Sequence, residues 1–550
     1  MSPPVLVLGL DGATFDVIEP LARQGRLPCL ASWMAQGVAL PLRSTQPPMS
    51  FPAWSTFSTG LDPGQHGLFD FTQKLPGAYR IRFTNGSDRA GASLFAHTTR
   101  AGGRVLALGM PATFPPEPVA GLLVAGFDAP VSTGTDPRMA SDAGLYRAVA
   151  ERVGPWMQPD MDETAREEGW HERAAAKLLA RIDRKRDFAL EALEQLRRGP
   201  DAAPPELTCI VFSESDTVAH HFWRDHDPAS PRHDPAASSA RQNAVAAVYE
   251  RLDAACGEIR AALGEEALCV VASDHGSGGA ARRVVHLGRR LEQAGLLRRS
   301  RQAQAAGSGL DLLARRARDL ALSALGPRLS QQLFRRARGA AARLESAARF
   351  AGVDWARSAA FSEEANTQPG VWINLRGREA EGCVEPADYE RARDDVIAAL
   401  GEWTLPGGAP VVARARRREE VHPGPFCQRA PDVIVELADD AGYGLSLVAT
   451  PWSEGGVGAV RTLEDHELGG GRGRGMNGTH RPEGIWIAHG LGAAACMAAR
   501  TPALRDVAPA LLGALGVSSE TDARPRPPRP YTADEEARVA ERLRALGYLE

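Results

Sequence analysis

A rhythm runs through this chain and narrows the folds open to it. Apolar runs of strand length end in Asp or His and alternate with stretches long enough for helices. Val5–Gly12 (VLVLGLDG), Ile210–His220 (IVFSESDTVAH) and Val270–Gly276 (VVASDHG) each begin as a β-type run and lead into Asp or His. Pro47–Gly60 (PPMSFPAWSTFSTG) offers a lone Ser ahead of a predicted helix. Met476–Ala488 (MNGTHRPEGIWIA) offers a His ahead of one more apolar run. The strands predicted are Val5–Leu10, Val105–Leu108, Leu122–Ala125, Leu207–Ser213 and Leu268–Ser273. Helix patterns such as His171–Arg198 and Gln242–Leu263 fall between them. Strands alternating with helices imply an α/β fold with a mostly parallel central sheet and helices on both faces. Ligands in such sheets gather at the carboxyl ends of the strands. Asp11, Asp216, Asp274 and His275 fall at or just past those ends, so residues distant in sequence converge there.

At 550 residues the chain is too long for one ordinary domain. Residues 1–281 read as the first part of a catalytic α/β core and 282–350 as an inserted basic helical cap. Residues 351–440 read as a smaller α/β segment and 441–520 as the closing part of the core with the last metal ligand. Residues 521–550 form a Pro-rich tail and terminal helix. The 282–350 stretch carries 16 Arg against four acids, Glu292, Asp311, Asp319 and Glu345. The plain reading is a solvated helical face. The sharper one is that the arginines attract a polyanion or an anionic surface. A net charge of −4 excludes nucleic-acid binding by bulk charge. The seven cysteines show no C-x-x-C spacing. With no leader and no apolar stretch of transmembrane length in the sequence, a reduced, cytoplasmic setting is expected.

Carboxylates and imidazoles at strand ends suit two adjacent divalent metals with a hydroxyl nucleophile on one of them. That is hydrolase chemistry. Asp11 ends the first strand, where Gly12 lets the backbone turn; its rival role is a helix N-cap. Ser50 stands before a helix predicted to begin near Pro52. There a helix N-terminus helps hold a phosphate or sulfate and a metal lowers the hydroxyl pKa; its rival role is again an N-cap. Asp216 and His220, four apart on a helical turn, face one way and can share a metal, while His221 faces elsewhere. Asp274 and His275 follow a strand directly. His480 follows the Gly-rich 469–478 loop. His66, His97, His286, His466 and His489 read as structural, His66 as a loop anchor and His286 as a group that also lies near substrate reach. Trp54, Phe222 and Trp223 read as core, with a leaving-group pocket as the alternative.

With these motifs in hand, the chain resembles the alkaline phosphatase superfamily, in particular its type I phosphodiesterase/nucleotide pyrophosphatase branch. The resemblance runs from VLVLGLDGATFD through SFPAWSTFSTGLDPGQHGLFDF, SDTVAHHFW and SDHG to GTHRPEGIWIA and RLRALGYLE. It implies an alkaline-phosphatase-like fold and a metal-dependent phosphohydrolase that cleaves a phosphodiester or phosphomonoester, with a small phosphate ester as substrate. It implies one metal on Asp216, His220 and His480 and another on Asp11, Asp274 and His275, with Ser50 Oγ leaning on the second. Ser50 would attack phosphorus to give a phospho-seryl enzyme that water then releases. Zinc is the metal implied, with manganese or iron as alternatives. A phosphotransferase or lipid-headgroup-processing enzyme of the same superfamily is the second reading, and a non-catalytic metal-binding member the third. Ala53 stands where nucleotide pyrophosphatases carry Asn, which removes an amide that helps bind a phosphoryl oxygen. Trp54 stands where sulfatases require Arg, which argues against formylglycine formation. No oligomeric state follows from the sequence.

Overall fold

A computed structural model describes residues 3–130, 136–157, 169–198, 204–300, 346, 349–350, 352–364, 369–452, 457–469, 474–496, 502–518 and 529–545. The predicted strands all form. They lie in a seven-stranded sheet ordered Val38–Arg43, Glu483–His489, Leu268–Ala272, Val5–Leu10, Leu207–Phe212, Val105–Met110, Gly121–Ala125. The Val5–Leu10 strand is parallel to both neighbours, with Leu10 opposite Phe212 and Gly9 opposite Ala272. Glu483–His489 runs antiparallel to Leu268–Ala272 and to Val38–Arg43. VLVLGL, LTCIVF and LCVVA are buried along their whole length. A parallel strand covered on both faces has no solvent side, so its apolar run is continuous rather than alternating.

Two compact units divide the chain. The first comprises residues 1–68, 85–279 and 477–530, and the second 69–84, 280–476 and 531–550. The first unit holds the seven-stranded sheet, and its core gathers Val5, Val7, Trp54, Phe57, Val211, Val270, Trp486 and Leu511. The long helices Trp170–Arg197 and Ala244–Leu263 belong to it. In the second unit, Ala360–Phe361, Gly370–Ile373, Val433–Leu437 and Val412–Arg417 form a four-stranded sheet over a core with Phe361, Trp372, Val396 and Val433.

These contact units cut the chain at other points than the sequence pattern suggested. Residues 441–476 cluster with the second unit because Tyr443–Leu447 and Val460–Thr462 pair with the later half of the Gly276–Val285 strand. The basic stretch opens as the end of that strand, followed by a short helix, Leu287–Gln293. Its residues 301–345 lie outside the described residues, as do 521–528 of the Pro-rich tail. Among the described residues no helix is long and apolar enough to cross a membrane.

Candidate metal centre

All seven singled-out residues, Asp11, Ser50, Asp216, His220, Asp274, His275 and His480, belong to the first unit, and the structure brings them together. Asp11 follows the Val5–Leu10 strand, and its N–H continues the ladder to the Phe212 carbonyl (2.9 Å). Gly12 then turns back at φ +65°. A Cβ there would lie 2.9 Å from both Asp216 Oδ1 and Ser277 Oγ, so only glycine leaves room for Asp216. Three hydroxyls pin this turn. Ser215 Oγ donates to the Asp11 carbonyl (2.7 Å), Ser277 Oγ to Gly12 (2.7 Å) and Ser273 Oγ to Ala13 (3.0 Å).

Ser50 is the first residue of the Ser50–Thr59 helix, and Met49 occupies the cap position. It is fully buried and its side chain makes no cap, so the N-cap role falls away. Instead Ser50 Oγ donates to Asp11 Oδ1 (3.3 Å) and sits 3.5 Å from His275 Nε2. Asp216 and His220 lie on one face of the Glu214–His226 helix, as their spacing predicts, with His220 Nε2 3.1 Å from Asp216 Oδ1. His480 arrives on the Gly478–Arg481 strand. Its Nε2 is 3.0 Å from His220 Nε2 and 3.5 Å from Asp216 Oδ1.

The histidines share one arrangement. The Nδ1 atoms of His220, His275 and His480 face the carbonyls of Gly478 (3.0 Å), Gly276 (3.0 Å) and Pro48 (2.7 Å). A carbonyl only accepts, so each Nδ1 carries the proton, and in the neutral ring each Nε2 presents a lone pair. Two such lone pairs facing each other at 3.0 Å repel unless a cation lies between them. Ligand atoms about 2 Å from a tetrahedral zinc lie roughly 3.3 Å apart. The Asp216–His220–His480 triangle, with sides of 3.1, 3.0 and 3.5 Å, fits that spacing.

Asp11, Asp216 and His275 make a second group that can hold an ion, so Asp216 stands in both groups. Asp274, which the resemblance assigns to the second group, accepts the Gly12 N–H through Oδ1 (3.2 Å). Its Oδ2 lies 3.3 Å from His275 Nε2 and has no hydrogen-bond partner in its buried position. Burial, then the charges of Asp274 and Asp216, pushes the Asp11 carboxyl well above the usual range. Burial pushes Asp274 up to about 8. Burial drives His275 down to about 3, which keeps it a neutral donor. Crowded carboxyls, imidazole Nε2 atoms aimed inward and an orphaned Asp274 oxygen fit divalent cations.

Two features of the site escaped the motifs. Trp54, read as core or pocket lining, is fully buried and donates Nε1–H to Asp11 Oδ2 (3.0 Å). Glu214, at the start of the Asp216 helix, is buried between Arg181 Nε (3.1 Å) and Lys185 Nζ (2.9 Å) of the Trp170–Arg197 helix. An acid two residues before Asp216 and basic residues spaced four apart were the available signals. Elsewhere, His66 takes the Leu68 N–H on Nδ1 (3.1 Å) and anchors its loop. His286, in the second unit, is tied to the Val448 carbonyl (3.2 Å).

The sequence model of the type I phosphodiesterase/nucleotide pyrophosphatase family matches residues 5–452. His480 lies beyond the matched span and joins the site through the structure. The chain is similar to phosphonoacetate hydrolase from Sinorhizobium meliloti 1021, solved with phosphonoformate. The TM-score is 0.50 at 14% identity, over 94% of this chain and 96% of that one, a likeness of fold. Human ectonucleotide pyrophosphatase/phosphodiesterase 5 matches with a TM-score of 0.44 at 13% identity, over 94% of this chain and 95% of that one. No curated protein matches by sequence.

Proposed function

Because the chain belongs to the type I phosphodiesterase/nucleotide pyrophosphatase family and is a metal-dependent hydrolase of phosphoric esters, we propose that it cleaves a phosphodiester or phosphomonoester through Ser50. The proposed cofactors are two divalent cations. One would be held by Asp216, His220 and His480, the other by Asp11, Asp274 and His275, with Asp216 near both. Three imidazoles among the donors favour zinc. When bound, such cations polarise phosphoryl oxygens and lower the pKa of a coordinated hydroxyl.

The chain's own groups account for the rest. Ser50 Oγ attacks phosphorus in line, the ester bond to the leaving group breaks, and the phosphoryl group passes to Ser50. Water then attacks the phospho-seryl ester and frees the serine. Asp11 Oδ1 orients the hydroxyl for the first step. The N-terminus of the Ser50–Thr59 helix places positive partial charge beside the transferred group. The seven free cysteines support a reducing, cytoplasmic setting.

The observation that carries this reading is the position of Ser50 Oγ, within 3.3 Å of Asp11 and 3.5 Å of His275 at a helix start. The test compares metal-stripped and zinc- or manganese-reloaded protein on bis-p-nitrophenyl phosphate, p-nitrophenyl phosphate and p-nitrophenyl sulfate. Ser50→Ala should lower turnover on the order of 10³-fold or more while metal content stays close to wild type. Turnover at the wild-type rate by Ser50→Ala would remove the nucleophile assignment.

A further inference from the structure

Asp11 has two carboxylate oxygens, and the structure gives them different work. Oδ1 faces Ser50 Oγ (3.3 Å) and His275 Nε2 (3.6 Å). Oδ2 accepts from the Trp54 indole (3.0 Å). An indole N–H only donates, so it engages Oδ2 as its acceptor. We propose that Trp54 is a positioning residue that commits Asp11 to ligate through Oδ1 alone and thereby sets the affinity of the metal group Asp11 shares with His275. This inference rests on the metal-site reading above.

Two further observations point the same way. Trp54 lies one turn after Ser50 on the same helix, so the hydroxyl and the brace on Asp11 are carried by one rigid element. The indole also has a seat built into the central strand. A Cβ at Gly9 would lie 2.8 Å from Trp54 Cη2 and 2.9 Å from Val211 Cγ2. Gly9 therefore makes room for a ring that reaches across the strand to the carboxylate two residues on. A ring there for packing alone would need no polar atom. Phe57, one turn-face away on the same helix and against the Trp54 ring (5.1 Å between centroids), fills the core without one.

The experiment measures both zinc affinities of the full-length protein by competition with a chromophoric chelator. Trp54→Phe keeps most of the ring and removes the N–H. Site-specific replacement of Trp54 by benzothienylalanine removes the N–H alone and covers the case in which Trp54→Phe folds poorly. Either change should weaken one zinc step by about 10- to 100-fold, the usual effect of losing a partner that orients a ligand, and leave the other step in place. Phe57→Leu, the packing control, should lower the melting temperature without moving either affinity. Asp11→Ala separates the two layers of the argument. If it weakens a zinc step and the Trp54 changes do not, the indole merely packs and the proposal is overturned while the site reading stands. If Asp11→Ala changes neither step, the site reading falls and takes the proposal with it.

Discussion

His220, His275 and His480 each commit Nδ1 to a backbone carbonyl, and that single choice decides what the imidazoles can do at the other nitrogen. It fixes the tautomer and the ring direction before any ion arrives. The same logic holds for Gly12, whose missing side chain leaves space for Asp216 Oδ1. Gly12→Ala should strain the φ +65° turn by about 1–3 kcal/mol and displace the Asp216 carboxylate. The expected result is a lower melting temperature together with loss of bound metal, read by thermal unfolding and elemental analysis. A Gly12→Ala protein with full metal content would show that the turn tolerates a methyl group and that Asp216 is not held by this fit. Such effects were half legible in the sequence. A glycine after a strand-end Asp announces a turn, but the crowding of that turn by Asp216 involves residues 204 positions away in the chain, the separation also spanned by the Ser215–Asp11 bond.

The Glu214–His226 helix owes its placement to a buried charge cluster. Glu214 sits in its first turn, where the helix dipole favours an acid, and is enclosed by Arg181 and Lys185 with almost no exposure on any of the three. Burial alone would raise the Glu214 carboxyl, yet the two cations hold it below its ordinary value. Removing one member of a buried ionic set leaves the others uncompensated, at a cost of about 3–5 kcal/mol. Glu214→Gln takes the carboxylate from both cations, whereas Lys185→Met leaves Glu214 still paired with Arg181. Urea unfolding should therefore rank Glu214→Gln as the more damaging change. Equal or reversed effects would mean that the cluster does not anchor this helix. The i, i+4 spacing of Asp216 and His220 was readable from the sequence because helical geometry is local. The anchoring of the helix was not, because it depends on a second helix packing against it.

At the scale of the whole molecule, two cores imply that unfolding is not a single two-state event. The second unit carries its own acid-sensitive link. Asp432, fully buried, takes hydrogen bonds from Arg378 (2.7 and 2.6 Å), Tyr389 (2.5 Å) and the Ile373 N–H (2.7 Å), and lies 3.0 Å from Arg418. Burial would raise this carboxyl, but Arg378 and Arg418 hold it below the ordinary value of 3.8. A depressed carboxyl stabilises the folded state above the unfolded pKa and loses that contribution as pH falls through the folded one. The stability of the second unit should therefore be level through neutral pH and decline below about pH 4. Asp432→Asn should lower stability at pH 7 and show a shallower decline under acid. Unfolding curves that keep the wild-type slope below pH 4 in Asp432→Asn would assign the acid sensitivity to other groups.

What is local can be read along the chain. The order of residues carries the strand rhythm, the Asp and His residues at strand ends, the Ser50 helix start and the shared face of Asp216 and His220, because strand and helix periods act over a few residues. Which atoms meet depends on the packing of the folded chain. It placed Asp216 in both candidate metal groups, left Asp274 Oδ2 unpartnered, set Trp54 on Asp11 and drew Ser215, Ser273 and Ser277 onto one turn. Those relations join residues from 43 to 265 positions apart. Hydrogen-bond direction and ligand spacing at that range follow from how packed elements close on one another, which no local pattern encodes.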